Sequence, residues 1–164
     1  MALKNTKAAR AGAPGIDEKV KNLVAFDLNL QLAHLLDLAA SAKQAHWNIH
    51  GPNFDGLHLL FDTIATDAYA FTDLVAERLL ALRSLAKGTI QDAAEQSTFE
   101  PFPNDESGWT PLTSALHERV MGCSNRLRAS LDTVAAEPVT QDMYISMITS
   151  LEKHAWMLAA HLNT

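Results

Sequence analysis

Residues 46 to 77 constrain this chain more than any other stretch. Leu57, Phe61, Ile64, Ala68, Phe71, Val75, Leu79, Leu82 and Ala86 recur at intervals of three and four, which predicts a helix from about Phe54 to Ala86 with one buried stripe. At about 100° per residue, His58, Asp62, Asp73 and Glu77 fall roughly 100° to 200° from that stripe. They occupy a second face, turned away from the core that the stripe builds.

His58 with Asp62, and Asp73 with Glu77, are each four residues apart, so the members of each pair converge above the helix. The centres of the two pairs lie about 22 Å apart along the axis. One metal ion cannot be reached by both pairs of a single helix. Two copies packed antiparallel across a two-fold axis near Asp67 bring His58 and Asp62 of one chain to Asp73 and Glu77 of the other. The spacing therefore predicts a symmetric dimer with two equivalent intersubunit sites. His46 lies six residues before Pro52 and His58 six after, so a helical hairpin turning at Gly51-Pro52-Asn53 places both at one level.

Imidazole and carboxylate without thiolate suit iron, manganese, zinc or cobalt, and a carboxylate-rich site favours ferric over ferrous iron. The plainer alternative is that His58 and Asp62 merely pair with each other, while Asp73 and Glu77 form a solvated face beside Arg78.

The rest of the chain reads as all-α. Asp17 and Glu18 mark the start of a first helix, on which Val24, Leu28, Leu32, Leu35, Ala39, Ala42, His46 and Ile49 keep one face. A second apolar set, Val20, Leu23, Phe26, Leu30 and Leu36, exceeds what one bundle needs and suggests subunit contacts. His34 and Asp37 on this helix are read as an interface hydrogen bond. The segment 87 to 110 carries Gly88, Pro101, Pro103 and Gly108, with room for a short helix from Thr89 and Asp92 to Glu95. Thr110-Pro111 reads as the start of a third long helix with Leu112, Leu116, Val120, Cys123, Leu127, Leu131 and Val134 inward, ended by Pro138. Thr140 then opens a fourth, with Ile148, Leu151, Ala155, Leu158 and Leu162 inward. Two hairpins joined by a long crossover make a four-helix bundle in one domain, residues 17 to 164, after a flexible, weakly basic tail, residues 1 to 16, that bears Lys4, Lys7 and Arg10.

The net charge of −6 repels bare nucleic acid, so DNA binding would need a local basic feature such as that tail. A single cysteine, Cys123, excludes an internal disulfide framework and reads as a small buried residue. No uncharged apolar run reaches the roughly 18 residues of a membrane span and no signal-like segment opens the chain, so the expectation is cytoplasmic, without membrane contact. Asp132, Glu137 and Asp142 cluster at the connection between the last two long helices. They read either as an acidic funnel for cations around a three-fold axis or as a solvated turn. His50, His117, His154 and His161 are left outside any site.

His46-Trp47-Asn48-Ile49-His50-Gly51-Pro52-Asn53-Phe54, then Leu57-His58, Asp62 and Asp73-Leu74-Val75-Ala76-Glu77-Arg78, resemble the signature of the Dps family, the DNA-protecting mini-ferritins of starved bacteria. Leu151 to Leu158 is similar to that family's last helix. The resemblance implies a ferritin-like four-helix bundle with the short extra helix in the crossover between helices 2 and 3. It implies assembly of two-fold dimers into a hollow dodecamer storing ferric mineral. It also implies a two-iron ferroxidase site made by His46, His58 and Asp62 of one subunit with Asp73 and Glu77 of its mate, Trp47 beside the iron, hydrogen peroxide or oxygen as oxidant, and lysine-bearing tails on DNA. Glu-x-x-His, the motif of an intrasubunit di-iron centre, is absent. The expected function is an iron-oxidising, iron-storing protein that protects DNA from oxidative damage. Two rivals remain: a DNA-compacting nucleoid protein whose metal binding is secondary, and a zinc- or manganese-holding oligomer without redox turnover.

Overall fold

The computed structural model describes residues 15–162. Five helices follow in order: α1 (Glu18–Asn48), α2 (Phe54–Ala81), α3 (Ile90–Gln96), α4 (Trp109–Ser130) and α5 (Pro138–Leu162). α1 packs along α2 and α4 along α5, so two antiparallel hairpins close face to face as a four-helix bundle. The short α3 lies across α1 within the crossover.

Each long helix buries the stripe that its periodicity predicts. Val24, Leu28, Leu35 and Ala42 of α1 meet Leu57, Phe61, Ile64 and Val75 of α2, Leu116, Val120 and Leu127 of α4, and Leu151 and Leu158 of α5, all buried. By length and composition α1 is apolar enough to cross a membrane, but most of that stretch is buried inside the bundle. Leu23 and Phe26 of its second apolar set stand exposed. Ile16, assigned to the tail by sequence, packs partly buried against the core.

Several helix ends depart from expectation. Asp17 caps α1 as expected, its carboxylate accepting from Lys19 N at 2.9 Å and Val20 N at 3.3 Å. α2 stops at Ala81, five residues early. Arg83 takes φ 60°, with its N–H on the Leu80 carbonyl and the Ser84 N–H on that of Leu79, which is a Schellman closure with arginine where glycine is usual. Leu82 nevertheless stays buried. α4 begins one residue before the expected cap, at Trp109 after Gly108, and ends at Ser130 rather than near Pro138. Pro138 starts α5 instead of ending α4, since its missing N–H costs nothing in a first helical turn. The short helix matches its expected start: Thr89 and Asp92 make a reciprocal capping box.

Candidate metal centre

The turn between α1 and α2 is pinned from outside the hairpin. Gly51 has φ 120°, and a Cβ there would lie 2.8 Å from Trp109 Cδ1. The His50 N–H donates to the Ser107 carbonyl at 3.0 Å, tying the turn to the segment that leads into α4. This connection sets α1 against α2 in register, and the register places His46 beside His58.

The two histidines clasp each other through main-chain oxygens. His46 Nδ1 lies 2.9 Å from the His58 carbonyl, and His58 Nδ1 lies 2.9 Å from the His46 carbonyl. A carbonyl only accepts, so each Nδ1 carries a proton and, in the neutral ring, each Nε2 keeps a free lone pair. The rings stack with centroids 3.7 Å apart, and Phe54 packs on the outer face of His58 at 4.9 Å. Both imidazoles are thereby oriented before any ligand arrives, the arrangement that metal-binding histidines obtain from their surroundings.

Asp62, one turn beyond His58, has a single strong partner: Lys43 Nζ at 2.7 Å from Oδ1. The hydrogen bond from Lys43 holds the Asp62 carboxyl below the usual aspartate range, reinforced by the charges of Lys43, His46 and His58. Beside it opens a groove of about 740 Å³ lined by Ser41, Lys43, Trp47, Asp62, Thr66 and Tyr69 among others. Trp47 is 69% exposed on its rim.

Asp73 and Glu77 are exposed farther along α2 and have no hydrogen-bond or ion-pair partner among the described residues. They do not join His46, His58 and Asp62 within the chain, and no group of three or more metal-ligating side chains forms among the described residues. Of the plainer alternative, the solvated face of Asp73 and Glu77 is what one chain shows, while the His58–Asp62 pairing is not made. Arg78 turns to Glu137 Oε2 at 2.6 Å and to Thr140 Oγ1 at 3.1 Å.

That last contact corrects the acidic-funnel reading for one residue. Glu137 is buried, accepts the Thr140 N–H at 2.8 Å and the Thr140 hydroxyl, and pairs with Arg78. It caps α5 and presents no free carboxylate to a passing cation. Asp132 and Asp142 remain exposed. Lys4, Lys7 and Arg10 lie outside the described residues.

The remaining histidines divide by environment. His34 and Asp37, read together from sequence, go separate ways: His34 Nε2 meets Thr98 Oγ1 at 3.1 Å, while Asp37 holds Arg119 at 2.8 Å and Ser97 at 2.6 Å. Burial, aided by the charge of Arg126, lowers the His34 pKa to about 4. His50 is exposed and His117 half-buried. His154, left outside any site by sequence, is buried with Nε2 2.7 Å from Asp67 Oδ2 and ties α5 to the middle of α2. Asp67 and His154 are 87 residues apart, and no local spacing signals their meeting. Cys123 is buried as expected, its thiol pushed up to about 12 by burial.

Residues 27–164 match the ferritin-like domain family. The DNA protection during starvation protein of Agrobacterium fabrum is 34% identical over 149 residues, spanning 90% of this chain and 92% of that protein. The solved Dps of Mycobacterium smegmatis superposes with a TM-score of 0.89 at 30% identity, covering 93% of this chain and 88% of that one. Dps from Microbacterium arborescens in its high iron form superposes at 0.85 with 28% identity, over 93% and 100% of the two chains. With its ferritin-like bundle, the extra helix in the crossover and these relatives matched over most of their length, the chain belongs to the Dps family.

Proposed function

We propose that the protein is a ferroxidase and iron-storage mini-ferritin whose catalytic site is completed between two subunits. The observation that carries this is the clasped His46–His58 pair beside Asp62, half of a coordination sphere with both Nε2 lone pairs free. The complementary half, Asp73 and Glu77, is exposed on the same helix and out of reach. In this reading Fe(II) is substrate. It binds Asp62 and the Glu77 of a two-fold mate, with His46 and His58 completing the sphere, and Asp73 supports a second, weaker iron. Carboxylate oxygen stabilises the ferric product. Two Fe(II) give one electron each to hydrogen peroxide, which takes two protons and leaves as two waters, so no hydroxyl radical is released. Oxygen is the alternative oxidant. The oxidised iron accumulates as ferric mineral inside a hollow dodecamer. Iron is supported as cargo by the high iron form described for the Microbacterium arborescens relative.

Protection of DNA is carried over from the names of the relatives, and removal of Fe(II) and peroxide accomplishes it without contact. Direct binding through Lys4, Lys7 and Arg10 is the second reading, favoured by the same names. It places the protein at the nucleoid of the bacterial cytoplasm. Twelve weakly basic tails would act together and release DNA as salt rises.

The test is stopped-flow oxidation of anaerobically loaded Fe(II) by peroxide, with Asp73→Ala/Glu77→Ala alongside. The double variant is expected to assemble normally and lose fast oxidation by more than about a hundredfold. An equally fast rate in the double variant refutes the ligand assignment, and no fast oxidation in either protein leaves a non-redox metal-holding or DNA-binding shell. Loss of a DNA gel shift on deleting residues 1 to 14, with oxidation intact, would separate the two functions.

A further inference from the structure

Lys43 has no place in the proposed coordination sphere, yet its ammonium sits on it. It lies one turn before Trp47 and three residues before His46 on α1, so the face that presents His46 to the site presents a lysine as well. Nζ is 2.7 Å from Asp62 Oδ1, and no other side chain among the described residues bonds that carboxylate. Both side chains are partly open to the groove, at 31% and 48% exposure, so the pair can exchange with solvent. The face of Trp47 is close by, with Nζ 5.9 Å from the ring centroid. A second station for the ammonium therefore exists within one rotamer change, where the indole face would attract it.

We propose that Lys43 is an internal competitor for the metal: its ammonium occupies the position Asp62 offers, and a divalent ion binds there only by displacing it toward Trp47. This rests on the ferroxidase assignment above and adds a residue that sets the affinity of the site without being a ligand. The physical basis is that a monovalent cation held by one exposed ion pair is cheap to remove. Iron delivered as a divalent ion to two imidazoles and two or more carboxylates displaces it, whereas an ion offered only the His46 and His58 imidazoles and Asp62 of a lone subunit gains too little to do so. Lys43 thus favours filling of a completed intersubunit site over adventitious binding to a lone subunit. Its residual charge near the metal also keeps the affinity moderate, as suits a substrate that must move on to a mineral.

Zn(II), which does not turn over, is the probe, measured by calorimetry on the assembled, metal-free protein. Lys43→Met keeps the side-chain stem and removes the charge. It is expected to bind Zn(II) about threefold to tenfold more tightly than the wild type, with a weaker dependence on ionic strength. Lys43→Arg, which keeps the charge, is expected to bind no more tightly than wild type. Equal or weaker binding by Lys43→Met overturns the proposal, as does tightening by Lys43→Arg to the same degree. Asp62→Asn in the Lys43→Met background separates this failure from that of the site itself. It should abolish the gain; if Zn(II) affinity is indifferent to Asp62 in both backgrounds, the ligand assignment falls and the competitor role falls with it.

Discussion

Glu137 and Asp62 are both carboxylates paired with one basic side chain, and they differ in what else holds them. Glu137 is buried, and its Oε2 accepts from the Arg78 guanidinium, the Thr140 N–H and the Thr140 hydroxyl together. Asp62 is half open to a groove and, among the described residues, its carboxylate has Lys43 alone. A planar fork with a helix cap makes a permanent tie between α2 and the start of α5. A flexible ammonium on an exposed oxygen makes a tie that another cation can take over. Sequence shows two acids near two bases; burial and the number of donors decide which one is structural.

The largest effect expected from breaking this comparison is on the buried side. Arg78→Met strands Glu137 without its cation and is expected to destabilise the fold by about 3–5 kcal/mol, measured by chemical denaturation at neutral pH. Arg78→Met with Glu137→Gln should recover a good part of that loss. If the single variant costs no more than an exposed pair does, the contrast drawn here is wrong.

Acid titration sharpens the comparison and involves two groups in separate windows. His34 has its pKa lowered to about 4, so the folded chain keeps it neutral while the unfolded chain takes a proton below about 6.5. Stability is thus lost as pH falls from about 6.5 to about 4, by about 3 kcal/mol at most. Its ring also accepts from the Thr98 N–H at 3.4 Å, which a proton on Nε2 would oppose. His34→Gln should flatten that limb of the denaturation midpoint against pH. For Glu137, burial alone would raise the carboxyl, but the hydrogen bonds from Thr140 and Arg78 outweigh it and the net shift is downward. Its contribution is present at neutral pH and disappears only as pH drops below the ordinary glutamate value of 4.5.

The smallest expected effect concerns an acid whose partners are all local. Thr89→Ala removes the hydroxyl that accepts the Asp92 N–H at 3.1 Å and should weaken α3 by about 1 kcal/mol, seen as faster amide exchange over Ile90–Gln96.

What the sequence made legible follows from how far each signal reaches. The stripes, the bundle, the hairpin level of His46 and His58, and the Thr89 cap depend on residues within a few turns of each other. The end of α2 was missed because an arginine stands at the left-handed position, where only glycine would have announced the stop. Pro138 was read as a terminator when it opens a helix, a choice decided by Glu137 capping from behind it. The Asp67–His154 pair and the pairing of Arg78 with Glu137 join residues far apart in the chain, and no periodicity encodes them. The contact of Lys43 with Asp62 is hidden for a different reason: it is set by the register of two helices and by the reach of a flexible side chain.

The mutual clasp of His46 and His58 is completed by a hairpin that one chain folds alone, while the complementary carboxylates sit about 22 Å away along the same helix. Under the proposed function, a newly made subunit is therefore inert toward iron until it meets another. Oxidation per chain should then rise with protein concentration below the dimer dissociation constant and level off above it. Dilution acts as an off switch, and the reaction between iron and peroxide begins only where subunits have met.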